Sequence, residues 1–147
     1  MLTNLAAHIH QIRIIDTHEH LHREMKWVGE GPTDVLADLF YAYIPADFIA
    51  AGADQHAVAA LTDGSDPDVE RRWVAVEQAW QAIRYTGYGE AVRIAAKELY
   101  NIDQITPSAI YGAQSKLESL RRPGQRLHLL REVARLDHVQ IDDFLWS

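Results

Sequence analysis

A polar cluster, Asp16-Thr17-His18-Glu19-His20, follows the β-branched run Ile12-Arg13-Ile14-Ile15 and has the residue types of a metal site. The run predicts a buried β-strand over about residues 12–17, with its chemistry at the carboxyl end. Alternate side chains of an extended segment point the same way, so His18 and His20 project to one side together. Because imidazole nitrogens are good ligands for divalent ions, we predict that His18 and His20 bind a divalent metal.

The residues beside this pair have roles that the sequence leaves open. Asp16 is expected either to orient a metal-bound imidazole or to shape the end of the strand. His22 has the same parity as the pair, so a shifted register in which His20 and His22 bind the metal is an alternative. Arg23 is a candidate contact for an anionic substrate, with an ordinary surface position as the competing interpretation.

A second His-x-His pair, His8 and His10, provides an internal comparison. It lies within residues 2–11, where the spacing of apolar residues predicts a helix. Side chains two positions apart on a helix diverge, so we expect this pair to bind no metal.

Helical patterns fill most of the chain after the His cluster, over about residues 30–120. The clearest helix is predicted from Asp68 to about Tyr85, because apolar residues recur at spacings of four and three and form one buried stripe: Val69, Trp73, Val76, Trp80 and Ile83. Trp73, Trp80 and Tyr85 are interpreted as core residues and not as a platform for substrate. The run from His138 to Ile141 predicts a second strand over about residues 138–142.

Composition limits the function classes. The 147 residues carry a formal charge of −7, which argues against nucleic acid as a partner, since phosphate binding requires clustered cations. The pairs Arg71-Arg72 and Arg121-Arg122 are expected to be solvated charges at helix ends. There is no cysteine, so a metal would be held by histidine, carboxylate or water. No segment is apolar enough to span a membrane, and no signal peptide is recognised, so we expect a cytoplasmic protein with a small-molecule substrate.

The segment Ile14-Ile15-Asp16-Thr17-His18-Glu19-His20-Leu21 resembles the strand 1 signature of the amidohydrolase superfamily, in which hydrophobic residues precede Asp-x-His-x-His. The resemblance implies a (β/α)8 TIM barrel with one or two divalent metals, most often zinc, and it puts His18 and His20 at the strand 1 metal positions. A complete barrel typically needs about 250 residues. We therefore expect an α/β fold in which residues 1–147 form the N-terminal portion of a barrel, with a long mainly helical insertion between strands 1 and 2.

Within this superfamily the chain resembles the uronate isomerases, which carry a long helical insertion after strand 1. The passage from Glu98 to Ile105 is similar to part of that insertion, and Val139-Gln140-Ile141-Asp142-Asp143 is similar to the family's strand 2. Asp142 or Asp143 is expected to reach the barrel mouth or to form a turn. The segment from Asp38 to Pro45 stands where the family has an Asp-His-Tyr-Lys-Trp-Arg motif, and it lacks the Lys and the Arg.

The resemblance implies a metal-dependent hydrolase that acts on a small polar or anionic molecule through a metal-activated water. The catalytic base is unassigned and is expected on a later strand beyond this portion of the barrel. A uronate isomerase-like sugar-acid isomerase and a metal-dependent lyase are alternatives, and a helical interaction module without catalysis is an alternative of another class. A homo-oligomer also stays open, because the apolar run Phe144-Leu145-Trp146 and the strand edges would need partners.

Overall fold

The computed structural model describes residues 3–141, most of which are helical. The chain divides into a terminal unit, formed by residues up to 29 and from 121 onward, and a central helical unit of residues 30–120. No helix within residues 3–141 is long and apolar enough to cross a membrane. The helices are α1 Asn4–Gln11, α2 Glu24–Glu30, α3 Val35–Leu39, α4 Ile44–Ala50, α5 Gln55–Ala60, α6 Val69–Val74, α7 Glu77–Ile83, α8 Gly87–Tyr100, α9 Pro107–Leu120 and α10 Gln125–His128, with a π-helical turn at Leu129–Val133.

The sheet has two strands in the described part of the chain, β1 Ile14–Glu19 and β2 Leu136–Ile141. They pair in parallel, with Ile14 opposite Leu136 and Asp16 opposite Val139. The predicted N-terminal portion of a (β/α)8 barrel is therefore wrong. A barrel wall is a closed sheet of eight parallel strands, each followed by a helix, whereas residues 3–141 are mostly helical and contain a sheet of only two strands, β1 and β2. The predicted second strand included residue 142, which lies outside the described residues, as do Asp143 and the run from Phe144 to Trp146.

The predicted burial of the first strand is also wrong. Ile14 and Ile15 on β1 expose 53% and 64% of their surfaces, and no residue of the terminal unit within 3–29 and 121–141 is fully buried. Parallel strands are normally covered on both faces by helices. Here the apolar residues Leu5 and Ile9 of α1 are themselves exposed, so that helix does not provide the cover.

Arginine side chains connect the elements of the terminal unit, in whose described part no residue is fully buried. Arg135 lies just before β2 and donates to two carbonyls in the last turn of α1, and Arg121 donates to two carbonyls in the last turn of α2. Carbonyls of a final helical turn have no partner within the helix, so these guanidinium groups act as C-terminal caps. The acceptors are His10 and Gln11 for α1, and Trp27 and Val28 for α2.

The core of the described chain lies in the central helical unit. Four large aromatic side chains from α4, α6, α7 and the end of α3 are almost fully buried and pack against one another. Their ring centroids are 5.4–6.3 Å apart, the range of favourable edge-to-face and offset contacts. The four residues are Phe40, Phe48, Trp73 and Trp80.

The helix predicted from Asp68 to Tyr85 is two helices, α6 and α7. All five residues of the predicted apolar stripe are buried. The helix breaks at Val76, whose φ of −125° and ψ of −4° are not helical. Tyr85, expected in the core, is 70% exposed. The stripe therefore predicted which side chains are buried but not the break between the helices.

Arg72, expected to be a solvated charge, is fully buried on α6. Its guanidinium forms an ion pair with Asp34 and donates to the carbonyls of Leu61 at 3.2 Å and Asp63 at 3.0 Å. Asp34 is also the N-cap of α3, since its Oδ1 accepts from the Ala37 N–H at 2.8 Å. One carboxylate thus begins α3 and neutralises the buried cation of α6.

Candidate metal centre

The structure brings His18 and His20 together at the end of β1. His18 lies in the strand and His20 follows its last residue, Glu19. The two Nε2 atoms are 3.0 Å apart, and the ring centroids are 4.9 Å apart with the rings nearly perpendicular. This convergence follows from the extended backbone, which turns side chains two positions apart to the same side.

Local hydrogen bonds support the backbone of the pair. The Asp16 carboxylate accepts from the His18 N–H at 3.1 Å, and the Glu19 carboxylate accepts from the His20 N–H at 2.9 Å. Asp16 was expected to orient an imidazole or to shape the strand end, and this contact corresponds to the second role. Both carboxylates therefore act on the main chain that carries the imidazoles.

The separation of the two nitrogens is compatible with a shared metal ion. Zinc–imidazole bonds are about 2.0–2.1 Å long, so two nitrogens 3.0 Å apart would enclose an angle of about 95° at the ion. A tetrahedral angle would require the Nε2 atoms of His18 and His20 to move apart by only a few tenths of an ångström. The same 3.0 Å distance also fits an Nε2–H···Nε2 hydrogen bond in which one ring keeps its proton.

The described residues bring no third potential ligand to His18 and His20. Over residues 3–141, no group of three or more histidine, aspartate or glutamate side chains is arranged so that it could hold a metal. Structural zinc sites have four protein ligands and catalytic ones usually have three. His18 and His20 are both exposed, so in a metal site built on this pair water or groups outside the described range would have to complete the coordination.

His22 and Arg23 follow the pair, before α2. His22 is half-buried, and its Nδ1 is buried without a hydrogen-bond partner in the described structure. Its carbonyl accepts from Arg126, and burial lowers the pKa of that guanidinium, opposed by the charge of Glu24. Arg23 is exposed at the start of α2. The close ring contact is between His18 and His20. The alternative in which His20 and His22 bind the metal stays a prediction.

The second His-x-His pair and the segment from Asp38 to Pro45 lie outside the region around His18 and His20. His8 and His10 lie on α1, as expected for side chains that diverge. Asp38 accepts from the Tyr100 hydroxyl, and the adjacent Phe40 belongs to the aromatic core. The segment that begins at Asp38 therefore has a packing role inside the central helical unit.

No protein-family model, curated protein or solved structure matches the chain. The resemblance to the amidohydrolase superfamily therefore rests on sequence motifs, of which the segment around His18 and His20 is the specific one.

Proposed function

We propose that the chain binds a divalent metal ion, with zinc as the first candidate, through His18 and His20, and that it is a metal-dependent hydrolase of amidohydrolase type. The observation that supports this proposal is the 3.0 Å separation of the two Nε2 atoms at the end of β1. The expected substrate is a small polar or anionic molecule, and the expected compartment is the cytoplasm. An isomerase or a lyase would use the same metal ligands.

A bound divalent ion would supply Lewis acidity, which lowers the pKa of a water and polarises a substrate carbonyl. His18 and His20 must be unprotonated to bind it, so each imidazole offers its Nε2 lone pair. Asp16 and Glu19 hold the backbone of the two ligands through the hydrogen bonds to the His18 and His20 N–H groups. Arg23 is exposed nearby in the sequence and is proposed to contact an anionic substrate. The proton-transfer base is unassigned.

A second function, a metal-binding or interaction module without catalysis, is favoured by a different observation. Catalytic metal sites usually have three protein ligands, and no group of three potential ligands lies together within the described residues 3–141. In this function the central helical unit would be a helical scaffold and the His pair a peripheral metal site. A metal-binding module predicts the same zinc content as the hydrolase and differs from it in turnover, whereas an interaction module with an incidental His pair predicts no bound zinc.

The test is metal analysis of the untagged full chain after equilibration with zinc and removal of free metal. We expect about one zinc per chain for the wild type and none above background for the double variant His18→Ala/His20→Ala. The matched control is His8→Ala/His10→Ala, which also removes two histidines spaced i,i+2 but from α1. Equal zinc content in the wild type and the His18→Ala/His20→Ala variant would refute the metal site.

A measurement of catalytic turnover distinguishes the proposed hydrolase from the proposed non-catalytic module. The zinc-loaded wild type and both double variants are assayed with activated esters of small carboxylic acids. A hydrolase should show zinc-dependent turnover that His18→Ala/His20→Ala abolishes and His8→Ala/His10→Ala retains. Stoichiometric zinc without such turnover, for these esters and for simple amides, would support the non-catalytic module.

A further inference from the structure

The terminal unit exposes a concentrated group of apolar side chains on α1, on β1 and on the connection between them. Five aliphatic residues within positions 5–15 each expose more than half of their surface. They are Leu5, Ile9, Ile12, Ile14 and Ile15. Single exposed aliphatic residues are normal on protein surfaces, whereas a large apolar patch marks a surface that another molecule covers.

Arg135 fixes α1 beside the two strands. Its guanidinium donates to the carbonyls of His10 and Gln11 in the last turn of α1, and its own carbonyl accepts from the Ile14 N–H at 3.0 Å. Arg135 also immediately precedes Leu136, the first residue of β2. The end of α1 and the starts of both strands therefore meet at one residue, and the exposed side chains of α1 and β1 belong to adjoining elements.

The helix and the sheet each lack what the other kind of element normally provides. Parallel strands are usually covered by helices on both faces. Ile14 and Ile15 are successive residues that point to opposite faces of β1, and both are exposed, so neither face is covered at that point. Leu5 and Ile9 lie one turn apart on the same side of α1 and are exposed as well. Because α1 does not cover its own sheet, the same helix of a second copy can cover it.

The distribution of charge favours self-association through the terminal unit. α1 contains no Asp, Glu, Lys or Arg, although a helix that faces solvent usually carries charged residues on its polar side. Charged residues are depleted at the centre of protein interfaces, and α1 has that composition. Residues 30–120, in contrast, contain 14 acidic and 6 basic side chains, so two central units repel each other.

The exposed apolar area is a substantial part of what a dimer interface needs. Full burial of a leucine or isoleucine side chain removes on the order of 100 Å² of apolar surface from water, so the five side chains offer about 300 Å². Each partner of a standard interface contributes about 800 Å², of which about 65% is apolar in homodimers. The five side chains therefore supply more than half of the apolar area of one partner.

We infer that a second copy of this chain covers this surface, with α1 of each copy packed on β1 of the other. Such a contact is isologous, since the same two elements are used on both sides, and it closes into a dimer with two-fold symmetry. Each copy gives the other the helix that its sheet lacks, and α1 can be buried without an unpaired charge. The contact requires no metal, so it is independent of the function proposed for His18 and His20.

The experiment is sedimentation equilibrium of the full chain with a chelator present, so that zinc cannot link two copies. We expect a reversible monomer–dimer equilibrium with a dissociation constant of about 1–100 μM, since an interface of modest apolar area binds weakly. The dimer should persist in about 0.5 M salt, which screens contacts between unlike charges but not apolar packing. A monomer at concentrations well above this range, open-ended association, or loss of the dimer in salt would overturn the inference.

Paired substitutions then locate the interface. Leu5→Lys/Ile9→Lys brings two unpaired charges into the proposed contact and should weaken the dimer at least about tenfold. The matched control is Ile49→Lys/Ile94→Lys, which adds the same two charges at exposed positions of α4 and α8 and should not weaken it. Undiminished association of a folded Leu5→Lys/Ile9→Lys variant, or equal weakening by the control, would refute the assignment.

A cross-link tests whether α1 of one copy lies on β1 of the other. The chain has no cysteine, so Ile9→Cys and Ile15→Cys each introduce a single thiol. A short bismaleimide should join the two variants when they are mixed and should join either variant alone far less, because the symmetric contact places position 9 of one copy near position 15 of the other. Equal cross-linking of the mixture and of the single variants, or none in a sample that sedimentation shows to be dimeric, would overturn the proposed contact.

Discussion

Replacing Asp34 with asparagine tests the buried ion pair of the central helical unit. Arg72 is fully buried, whereas the Asp34 side chain is 16% exposed. Asparagine keeps an oxygen that can cap α3 at Ala37, but it leaves the guanidinium with only the Leu61 and Asp63 carbonyls as partners. Removing one partner of a buried pair costs about 3–5 kcal/mol. Because water reaches Asp34 in part, we expect a loss near the lower end, about 3 kcal/mol.

Two further variants separate the cap from the charge. Asp34→Ala removes the carboxylate and the cap of α3, and it should cost about 1 kcal/mol more than Asp34→Asn. In the double variant Arg72→Met/Asp34→Asn the buried cation is absent, so the second substitution should cost far less than it does beside Arg72. Residues in direct contact are expected to show such coupling, and the cycle measures it.

The assay is urea unfolding followed by far-UV circular dichroism, in which the helices of the central unit dominate the signal. Free energies are compared at unchanged m-values, so that altered compactness is not mistaken for lost stability. A cost of less than about 0.5 kcal/mol for Asp34→Asn, or additive costs in the double variant, would show that the buried charge does not depend on Asp34.

Three other outcomes are expected. Gly89→Ala should destabilise the protein by about 2–3 kcal/mol in urea unfolding, since its Cβ would lie 2.1 Å from the Ile83 carbonyl oxygen, whereas Gly87→Ala, which meets open space, should not. Hydrogen bonds from the Ser65 hydroxyl and N–H hold the pKa of Asp63 below its ordinary value of 3.8. The ionised Asp63 should therefore stabilise the fold above that pH, and this contribution should be lost as the pH falls through the lower pKa of the folded state. The melting temperatures of the wild type and of Asp63→Asn should then converge in acid. Amide hydrogen exchange should be faster in the terminal unit than in the central unit, because none of the described residues of the terminal unit is fully buried; equal protection would contradict this.

Local apolar periodicity predicted the core more reliably than the breaks between helices. The residues from Val69 to Ile83 that recur at spacings of four and three are all buried. The break at Val76 left no signal, because the apolar spacing continues across it and the two helices present their apolar faces to the same core. Periodicity reports which face is buried, and the backbone geometry at one residue is decided by packing.

Arg71 and Arg72 show what a sequence pattern cannot predict. The Arg71 side chain is 67% exposed and pairs with Asp66, while Arg72 is fully buried. The helical period places Arg72, three residues after Val69 and four before Val76, on the apolar stripe and leaves Arg71 off it. It does not supply the partner that a buried arginine needs. The partner of Arg72 is Asp34, 38 positions earlier, and only the tertiary structure brings a carboxylate and two carbonyls to that place.

The convergence of His18 and His20 and the barrel fold were predicted from the same segment, but the two predictions depend on different interactions. The convergence of His18 and His20 requires only an extended backbone over three residues, so a β-branched run is enough to predict it. Burial of that strand and further ligands require other elements to pack beside it, and β1 pairs with β2 alone in the described structure. A resemblance confined to the strand therefore carries information about the pair and little about its surroundings.

The weak packing of the terminal unit bears directly on the proposed site. A two-stranded sheet is marginal by itself in water, and Ile14 and Ile15 contribute little burial to stabilise β1. A ligand that binds only the folded state adds about 2.7 kcal/mol of stability at a concentration one hundred times its Kd. An ion held by His18 and His20 would thus stabilise the strand end that presents them, in a unit whose described residues include none that is fully buried. Metal binding and order at the end of β1 are therefore expected to be one coupled equilibrium, in which zinc at the His18–His20 pair raises the stability of the terminal unit.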